Sequence, residues 1–416
     1  MIQRNIFVPA DILLPKDCDM TLWSTVACDQ FTSDTKYWDA VTENVGNHRS
    51  TLHMILPEAY LEKKNQAEET IRINNTMAKY LEDDVFYLLE NSYIYVERTL
   101  PDGVVRRGLI GAIDLSQYDY HEGSITPVRA TEHTVESRLP ARVEIRKNAV
   151  LEMPHIMLFI DDRQDMIMKA AAASCSAAVY DFDLMCNGGH ICGYPISGAN
   201  ASLLTAMLDE LSDDKLLEDK YGFSQGAIIY AIGDGNHSLA AAKNSWEEIR
   251  SNLTEEEQLN HPARYALVEL MNIHDAGVSF HPIHRAVFGI NPSQFVSQAE
   301  TELFSEKGTP VTLVTPNETT IRYVNADSIG QVIESVDRFC QEFASKYNGQ
   351  VDYIHGDKEA IEYGSISNNA AILLPSMKKE ELFTSVMDTG VFCKKSFSIG
   401  EAHEKRYYLE CRKIKV

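Results

Sequence analysis

The residues best suited to chemistry in this chain lie in one short turn, Gly233-Asp234-Gly235-Asn236-His237-Ser238. An apolar run, 228–232, precedes the turn, and a helix-forming run, 239–249, follows it. A strand that passes through a tight turn into a helix presents free backbone N–H groups to an anion at the positive end of the helix dipole. A plain turn in which an Asp or Ser side chain caps the helix is the alternative, and it leaves the histidine unexplained.

We predict that this turn binds phosphate, with Gly233, Gly235, Asn236 and Ser238 as its contacts. Asp234 is the predicted ligand for Mg²⁺, an ion that combines a few carboxylates with phosphate oxygens. His237 is predicted to donate a hydrogen bond to a phosphoryl oxygen during transfer. The turn differs from a Walker A loop because no Gly-Lys-Ser/Thr follows it.

A second cluster is Arg129-Ala130-Thr131-Glu132-His133, with Arg138 and Arg142 downstream. An acid within an arginine cluster can act as a general base or a metal ligand. Arginines also make bidentate contacts with phosphate. The charge pattern alone favours a solvated helix with internal ion pairs.

A third cluster combines His274-Asp275 with His281-Pro282-Ile283-His284-Arg285. Its imidazoles and carboxylate could hold the metal of a phosphohydrolase. Pro282 prevents the two flanking histidines from sharing a regular helix interior. We therefore favour a substrate contact, at His284 or Arg285, over a four-ligand metal site.

Two further segments carry weaker patterns. Cys186-Asn187-Gly188-Gly189-His190-Ile191-Cys192 resembles part of a zinc site, but a closed site needs a fourth ligand and no Cys-x-x-Cys partner appears. We interpret it as a turn with buried thiols. In the segment 390–401, Lys394 and Lys395 would suit a phosphate or carboxylate ligand, and a solvated basic loop is the alternative.

Composition limits the function classes. The chain has 416 residues, 44% of them hydrophobic, and a net charge of −23, which argues against general nucleic-acid binding. No apolar run approaches the roughly 18–20 residues that cross a membrane, and the N-terminus lacks the apolar core of a signal peptide. Eight scattered cysteines are too few for a disulfide scaffold of this size. We expect a cytoplasmic protein with reduced thiols that acts on a small molecule.

The elements that must position these residues alternate between helix and strand. The patterns predict an antiparallel hairpin from 85–97 and 104–115, a helix over 203–218, a polar loop over 255–260, a strand over 265–272 and a final strand over 407–414. They indicate an α/β fold with a mixed sheet and α+β character. We predict a core over residues 1–290 and a C-terminal α/β region over 291–416 that packs on it.

Together these segments resemble the domain-of-unknown-function family 1015. The turn at 233–238 resembles its Asp-Gly-His-His-Arg motif, and 278–285 resembles its Pro-Thr-His-Arg segment. Lys395 matches the lysine of its Gly…Pro-x-Lys-Ser/Thr segment, and Glu132 matches the glutamate of its Gly-x-Ile-x-Pro-His-Glu region. Asn236 and Ser238 replace a histidine and an arginine of the motif, so that Arg129, Arg285 or Lys395 would have to supply the lost cation.

The turn is also similar to that of the ParB-like superfamily, which includes partition proteins, sulfiredoxin and an ADP-dependent kinase acting on free serine. The resemblance implies a ParB-like nucleotide-binding core, with Glu132 as general base. It implies a phosphotransferase that uses Mg²⁺ and ADP, ATP or diphosphate as donor. A non-catalytic nucleotide sensor and a metal-dependent phosphohydrolase remain as alternatives, and the resemblance does not determine the oligomeric state.

Overall fold

The computed structural model describes residues 5–61, 63–134 and 139–415. The chain divides into two compact units. The first comprises Met1–Ala130, Thr134–Val278 and Glu401–Val416, and the second comprises Thr131–His133 and Ser279–Gly400.

A large mixed sheet forms the centre of the first unit. Its strands follow the order Tyr180–Asp183, His190–Ile196, Phe86–Thr99, Val105–Asp114, Tyr265–Asn272, Met157–Ile160, Tyr230–Asp234, Val128–Arg129 and Tyr118–Asp119, with Phe7–Val8 and Ala10–Pro15 paired at the side. Strand Tyr230–Asp234 runs antiparallel to Met157–Ile160 and parallel to Val128–Arg129. Neighbouring strands therefore run in both directions, which confirms the predicted mixed α/β class.

Helices in the first unit cover the sheet and connect its strands. They are Met20–Trp23, Thr35–Val45, Gln66–Glu82, Leu139–Asn148, Met166–Ala173, Gly198–Glu210, Asp214–Tyr221, Asn236–Arg250 and Glu255–Asn260. Short 3₁₀ turns are found at Thr51–Met54, Glu58–Tyr60, Leu115–Gln117, Pro262–Arg264 and Ala402–Glu404. Helix Asn236–Arg250 buries Leu239, Ala240 and Trp246, which fixes the position of its first turn.

The second unit is a smaller α/β assembly around a second sheet. Its strands are Phe280–Phe288, Thr309–Val314, Thr319–Val324, Gln350–His355, Asn369–Leu373 and Phe397–Ile399. Its helices are Pro292–Glu302, Ile329–Tyr347, Asp357–Gly364 and Glu381–Thr389. Strand Phe280–Phe288 pairs antiparallel with three others, namely Gln350–His355, Asn369–Leu373 and Phe397–Ile399.

The second unit differs from the predicted C-terminal region, 291–416, at both ends. Its main segment begins earlier, at Ser279, and ends earlier, at Gly400. Strand Phe280–Phe288 belongs to the second unit because its hydrogen-bonded partners lie there. The tail returns to the first unit, where Tyr407–Tyr408 pairs with Thr25–Val26 and Arg412–Lys413 pairs with Leu151–Glu152. These are two short strands, whereas the sequence predicted one continuous strand.

No helix in the part of the chain that the structure describes has both the length and the apolar character needed to cross a bilayer. All eight cysteines are free thiols.

A buried ion-pair network holds the C-terminal tail to the first sheet. Glu152 Oε1 accepts from Arg412 Nε at 2.7 Å and from the Leu267 amide at 2.9 Å, and Oε2 accepts from Arg146 at 2.6 Å. Burial opposes ionisation of Glu152, but Arg412 and Arg146 outweigh it and lower its pKa. The network therefore stabilises the fold above the unfolded pKa of about 4.3.

We expect Glu152→Gln to lower the free energy of unfolding by about 3–5 kcal/mol at neutral pH, because two arginines lose their buried carboxylate. This difference should shrink as the pH falls through the lowered pKa of Glu152. Urea denaturation over a pH series measures both effects. The exposed Glu248, 3.9 Å from Lys147, is the control, and Glu248→Gln should cost about 0–1 kcal/mol. Equal costs for the two variants would contradict a structural role for the network.

Candidate functional site

The predicted turn lies where strand Tyr230–Asp234 ends and helix Asn236–Arg250 begins. Against the neighbouring strand, the register shifts between Ile232 and Asp234, so that Gly233 occupies a bulge. Gly235 is left-handed, with φ of +87°, and a Cβ there would lie 3.0–3.1 Å from atoms of Ile156. Backbone angle and space together require glycine at this position. The chain thus turns sharply and brings Asp234 to the start of the helix.

The start of this helix offers hydrogen-bonding groups that the protein does not use. Gly235 provides no side-chain cap. Asp234 Oδ2 and Asn236 Oδ1 are shielded from solvent and have no hydrogen-bond partner. A buried acceptor without a donor costs about 1–3 kcal/mol, so native proteins rarely retain one without a reason. The turn therefore has the composition of a ligand site.

A lysine from the C-terminal tail supplies positive charge to the turn. Lys405 Nζ lies 3.7 Å from Asp234 Oδ2, and its side chain is only 8% exposed. The backbone carbonyls of His403, Glu404 and Lys405 all accept from the guanidinium of Arg98, at 2.7, 3.0 and 2.6 Å. Burial lowers the pKa of Arg98 to about 9. Arg98 is thus a positioning residue that fixes the backbone bearing Lys405.

A histidine and a second aspartate face the same turn. His155 Nε2 hydrogen bonds to Ser238 Oγ at 2.9 Å and lies 3.9 Å from Asp29 Oδ2. Burial raises the pKa of Asp234; Lys405 opposes this rise and Asp29 adds to it. Burial also opposes ionisation of Asp29. The pKa of Asp29 is nevertheless lowered, by His155 first and then by a hydrogen bond from Gln30 and the charges of Arg142 and Lys405. Two neighbouring carboxylates with opposite pKa shifts are typical of sites that handle protons or cations.

A cavity of about 180 Å³ borders this group. Ser238, His155 and Tyr408 contribute to its wall, and so does Arg142, which forms an ion pair with Glu58. Most of the remaining lining is apolar and includes Met54, Ile55, Leu56, Ile73, Met77 and Leu267. Apolar walls with a few convergent polar groups are characteristic of small-molecule sites.

The remaining predicted residues of the first unit have different surroundings. His237 is half-buried in the first turn of the helix. Arg129 donates to the carbonyl oxygens of Thr126, at 2.8 Å, and Gly226, and burial lowers its pKa. Backbone acceptors therefore already use its guanidinium. Arg138 lies outside the described residues.

Glu132 and Lys395 lie in the second unit, in a loop region that Arg285 organises. Glu132 Oε1 accepts from the Ser396 amide at 3.0 Å. Arg285 is fully buried and donates to Asp337 Oδ1 at 2.7 Å and to the Lys395 carbonyl at 3.0 Å. Lys395 has a left-handed backbone, and its Nζ lies 5.4 Å from the centre of the Tyr353 ring. The structure thus brings Glu132, Arg285 and Lys395 together within this unit.

His284 is fully buried in strand Phe280–Phe288. Its Nδ1 accepts from the Leu374 amide at 3.1 Å, and its Nε2 lies 2.8 Å from Asp357 Oδ1. An acceptor role for Nδ1 requires the neutral imidazole, and burial lowers the pKa of His284 in agreement. Both nitrogens are engaged within the protein, so this arrangement supports a structural role. Its predicted contact with substrate stays a prediction.

The ligands considered for a phosphohydrolase do not form a metal cluster among the residues that the structure describes. His274 Nε2 lies 2.6 Å from Asp161, and Asp275 accepts from Arg107 at 2.7 Å. These contacts make ion pairs rather than a shared ligand set.

The sequence patterns did not mark Asp29, His155, Lys405 or Arg98 as site residues. Asp29 stands in the segment Ala27-Cys28-Asp29-Gln30-Phe31, and His155 directly precedes a buried strand. A polar residue at a strand end was the available signal for His155. Nothing in the tail sequence distinguishes Lys405 from the lysines around it.

The family profile described as "Protein of unknown function (DUF1015)" matches residues 11–363. The chain belongs to this family. A comparison with curated proteins found no match.

A comparison with solved structures found several similar chains. A conserved hypothetical protein from Pyrococcus furiosus is 13% identical, with 71% of this chain and 95% of that chain covered and a TM-score of 0.35. A free serine kinase in complex with AMP is 12% identical, with 72% and 92% covered and a TM-score of 0.37. C-terminally truncated SbnI from Staphylococcus aureus is 10% identical, with 70% and 82% covered and a TM-score of 0.36.

Proposed function

We propose that this protein is a small-molecule phosphotransferase. It binds a nucleotide or diphosphate donor at the start of helix Asn236–Arg250 and transfers a phosphoryl group to the hydroxyl of a small polar metabolite. A serine-like compound is the first acceptor to test. The observation that supports this proposal is the pair of buried oxygens on Asp234 and Asn236 that accept no hydrogen bond, at an uncapped helix start beside Lys405.

Phosphate recognition needs hydrogen-bond donors and positive charge, and the turn combines these with hydrogen-bond acceptors. The helix start and Lys405 provide positive charge for phosphate oxygens. The oxygens of Asp234 and Asn236 are acceptors, which suit a substrate hydroxyl or a cation bound with the phosphate. The adjoining cavity, with its apolar lining, offers space for an apolar part of the ligand. A phosphorylated compound bound with a cation satisfies all of these groups together.

The oxygen atoms of this turn suit Mg²⁺ as metal ligands. The ion takes oxygen ligands and is typically held by one or two carboxylates and substrate phosphates. Asp234 and Asn236 would hold it through the oxygens that accept no hydrogen bond, and the ion would neutralise the charge of the phosphate. Gly233, Gly235 and Ser238 shape the cradle, and His237 donates to a phosphoryl oxygen. The family resemblance implies the roles of general base for Glu132 and phosphate contact for Lys395, and both roles stay predictions.

Phosphorus NMR of the complete reaction tests the proposal. Protein, Mg²⁺ and serine are incubated with ATP, ADP or diphosphate in turn, followed by a panel of other small hydroxyl compounds. The proposal predicts a phosphorylated acceptor and a shortened donor that appear in equal amounts and only when the acceptor is present. Donor binding without any transfer would instead support the nucleotide sensor. Release of inorganic phosphate without an acceptor would indicate a hydrolase.

A further inference from the structure

Two antiparallel strands at the edge of the first sheet bring several potential metal ligands onto one face. In the pairing of Tyr180–Asp183 with His190–Ile196, Asp181 lies opposite Cys192 and Asp183 lies opposite His190. Alternate residues of a strand share a face, so these four side chains project from the same side of the sheet. The sequence separates the two carboxylates from the Cys186–Cys192 segment, so the cluster becomes visible only through strand pairing.

The distances in this cluster match the space around a single ion. His190 Nε2 lies 2.8 Å from Asp181 Oδ1 and 3.5 Å from Cys192 Sγ. Ligand atoms of Asp181, His190 and Cys192 all lie within 4.8 Å of one another. Zinc bonds of about 2.0–2.3 Å in a tetrahedron place ligand atoms roughly 3–4 Å apart. Small side-chain adjustments would therefore suffice for coordination.

The fourth residue orients the imidazole. Asp183 Oδ1 lies 2.7 Å from His190 Nδ1, which leaves Nε2 directed at the other two ligands. Histidines that bind metals usually donate their second ring N–H to a carboxylate in this way. The His190 side chain is 40% exposed and that of Asp181 is 62% exposed, so an ion can reach the cluster from solvent.

Local charge also favours a cation. The carboxylates of Asp183 and Asp181 lie against the two ring nitrogens of His190, at 2.7 and 2.8 Å. Glu97 lies opposite Cys192 on the next strand and adds negative charge. Asp181 and Asp183 thus place two negative charges around one imidazole. A divalent ion would neutralise more of this charge than the single positive charge of a protonated imidazole.

We propose that Asp181, His190 and Cys192 bind a zinc-class transition-metal ion, with one coordination position left for water or an external ligand. The mixed N, O and S donor set suits Zn²⁺ and excludes preference for Mg²⁺ or Ca²⁺. Binding releases the thiol proton of Cys192, and any proton on His190 Nε2, to solvent. The site is independent of the proposed phosphotransferase site and of its outcome.

Cobalt spectroscopy on chelator-treated full-length protein tests the site. Co²⁺ should bind at one equivalent, give a sulfur-to-cobalt charge-transfer band and be displaced by Zn²⁺. Cys192→Ser should abolish the band, whereas His190→Gln and Asp181→Asn should each weaken Co²⁺ binding at least tenfold. Asp183→Asn, which keeps every ligand, should weaken binding about 10- to 100-fold.

Two matched variants serve as controls. Cys175→Ser alters a thiol that donates to the Ala171 carbonyl, and His121→Gln alters an exposed histidine beside Asp119. Both should retain the band and wild-type affinity. Circular dichroism without metal should show native folding for all variants, and a ligand variant that fails this check is replaced by Asp183→Asn. Absence of the band in the wild type, or its survival in Cys192→Ser, would overturn the proposal.

Discussion

Lys405→Met is expected to weaken binding of ADP or diphosphate about 10- to 100-fold. A hydrogen bond to a charged partner contributes about 1.5–3 kcal/mol, and each 1.4 kcal/mol changes affinity about tenfold. Arg98 fixes the backbone that bears Lys405. The ammonium group of Lys405 lies close to Asp234 and therefore to the start of the helix. Methionine keeps most of the buried volume of the side chain and removes only the charge. Isothermal titration calorimetry measures the change.

A double variant separates binding from folding. Lys405→Met alone leaves Asp234 without its cation, so the variant should also lose stability, by an amount that falls at low pH as Asp234 takes up a proton. Adding Asp234→Asn removes the remaining charge and should recover stability without restoring affinity. Lys413→Met, at an exposed position in the same tail, is the control and should bind as the wild type does. Unchanged affinity in Lys405→Met would exclude this lysine from the site.

Glu132→Gln is expected to reduce phosphoryl transfer by about 10²- to 10⁴-fold, the usual contribution of a general base. Glutamine keeps a side-chain oxygen that can accept from the Ser396 amide, so the loop should retain its structure. Nucleotide affinity should remain at the wild-type value. Steady-state kinetics and calorimetry on one preparation measure both quantities.

The control for this variant is another glutamate of the second unit. Glu334 is exposed on helix Ile329–Tyr347, and Glu334→Gln should leave kcat unchanged. If Glu132→Gln retained wild-type turnover, Glu132 would not be the base. If it lost nucleotide binding as well, its role would be structural or in binding.

Regular elements with strong local patterns were predictable from sequence. Strand Tyr265–Asn272 has the predicted bounds because an apolar run of strand length lies between polar segments. The hairpin of Phe86–Thr99 and Val105–Asp114 follows from two β-rich runs around Pro101-Asp102-Gly103. The turn after Tyr230–Asp234 was likewise predictable, since glycine punctuates a strand and a helix.

One loop prediction and one helix prediction were wrong for local reasons. The segment 255–260 was predicted as a polar loop, but Thr254 and Glu257 form a capping box that starts helix Glu255–Asn260. The predicted helix over 203–218 is two helices, because Asp213 caps the start of a second one at Asp214–Tyr221. In both cases a side-chain cap determined where a helix begins. Hydrophobic periodicity does not reveal such caps.

Residues that depend on long-range pairing could not be predicted. Lys405 reaches the turn because the tail pairs with Thr25–Val26 and because Arg98 binds its backbone. The neighbours of His155 and Asp29 likewise come from distant segments, so no spacing in the sequence connects them with Ser238. Sequence motifs therefore located the turn, while the charges around it required the fold.

Thermal denaturation with and without ligands tests the central claim most directly. The purified protein is heated with Mg²⁺ and ATP, ADP, AMP or diphosphate, each also without Mg²⁺. A ligand at about 100 times its dissociation constant should add about 2.7 kcal/mol to the stability. The proposal predicts a clear rise in Tm with at least one of these compounds, reduced in Lys405→Met. No rise with any of them would contradict a nucleotide or phosphate site at the start of helix Asn236–Arg250.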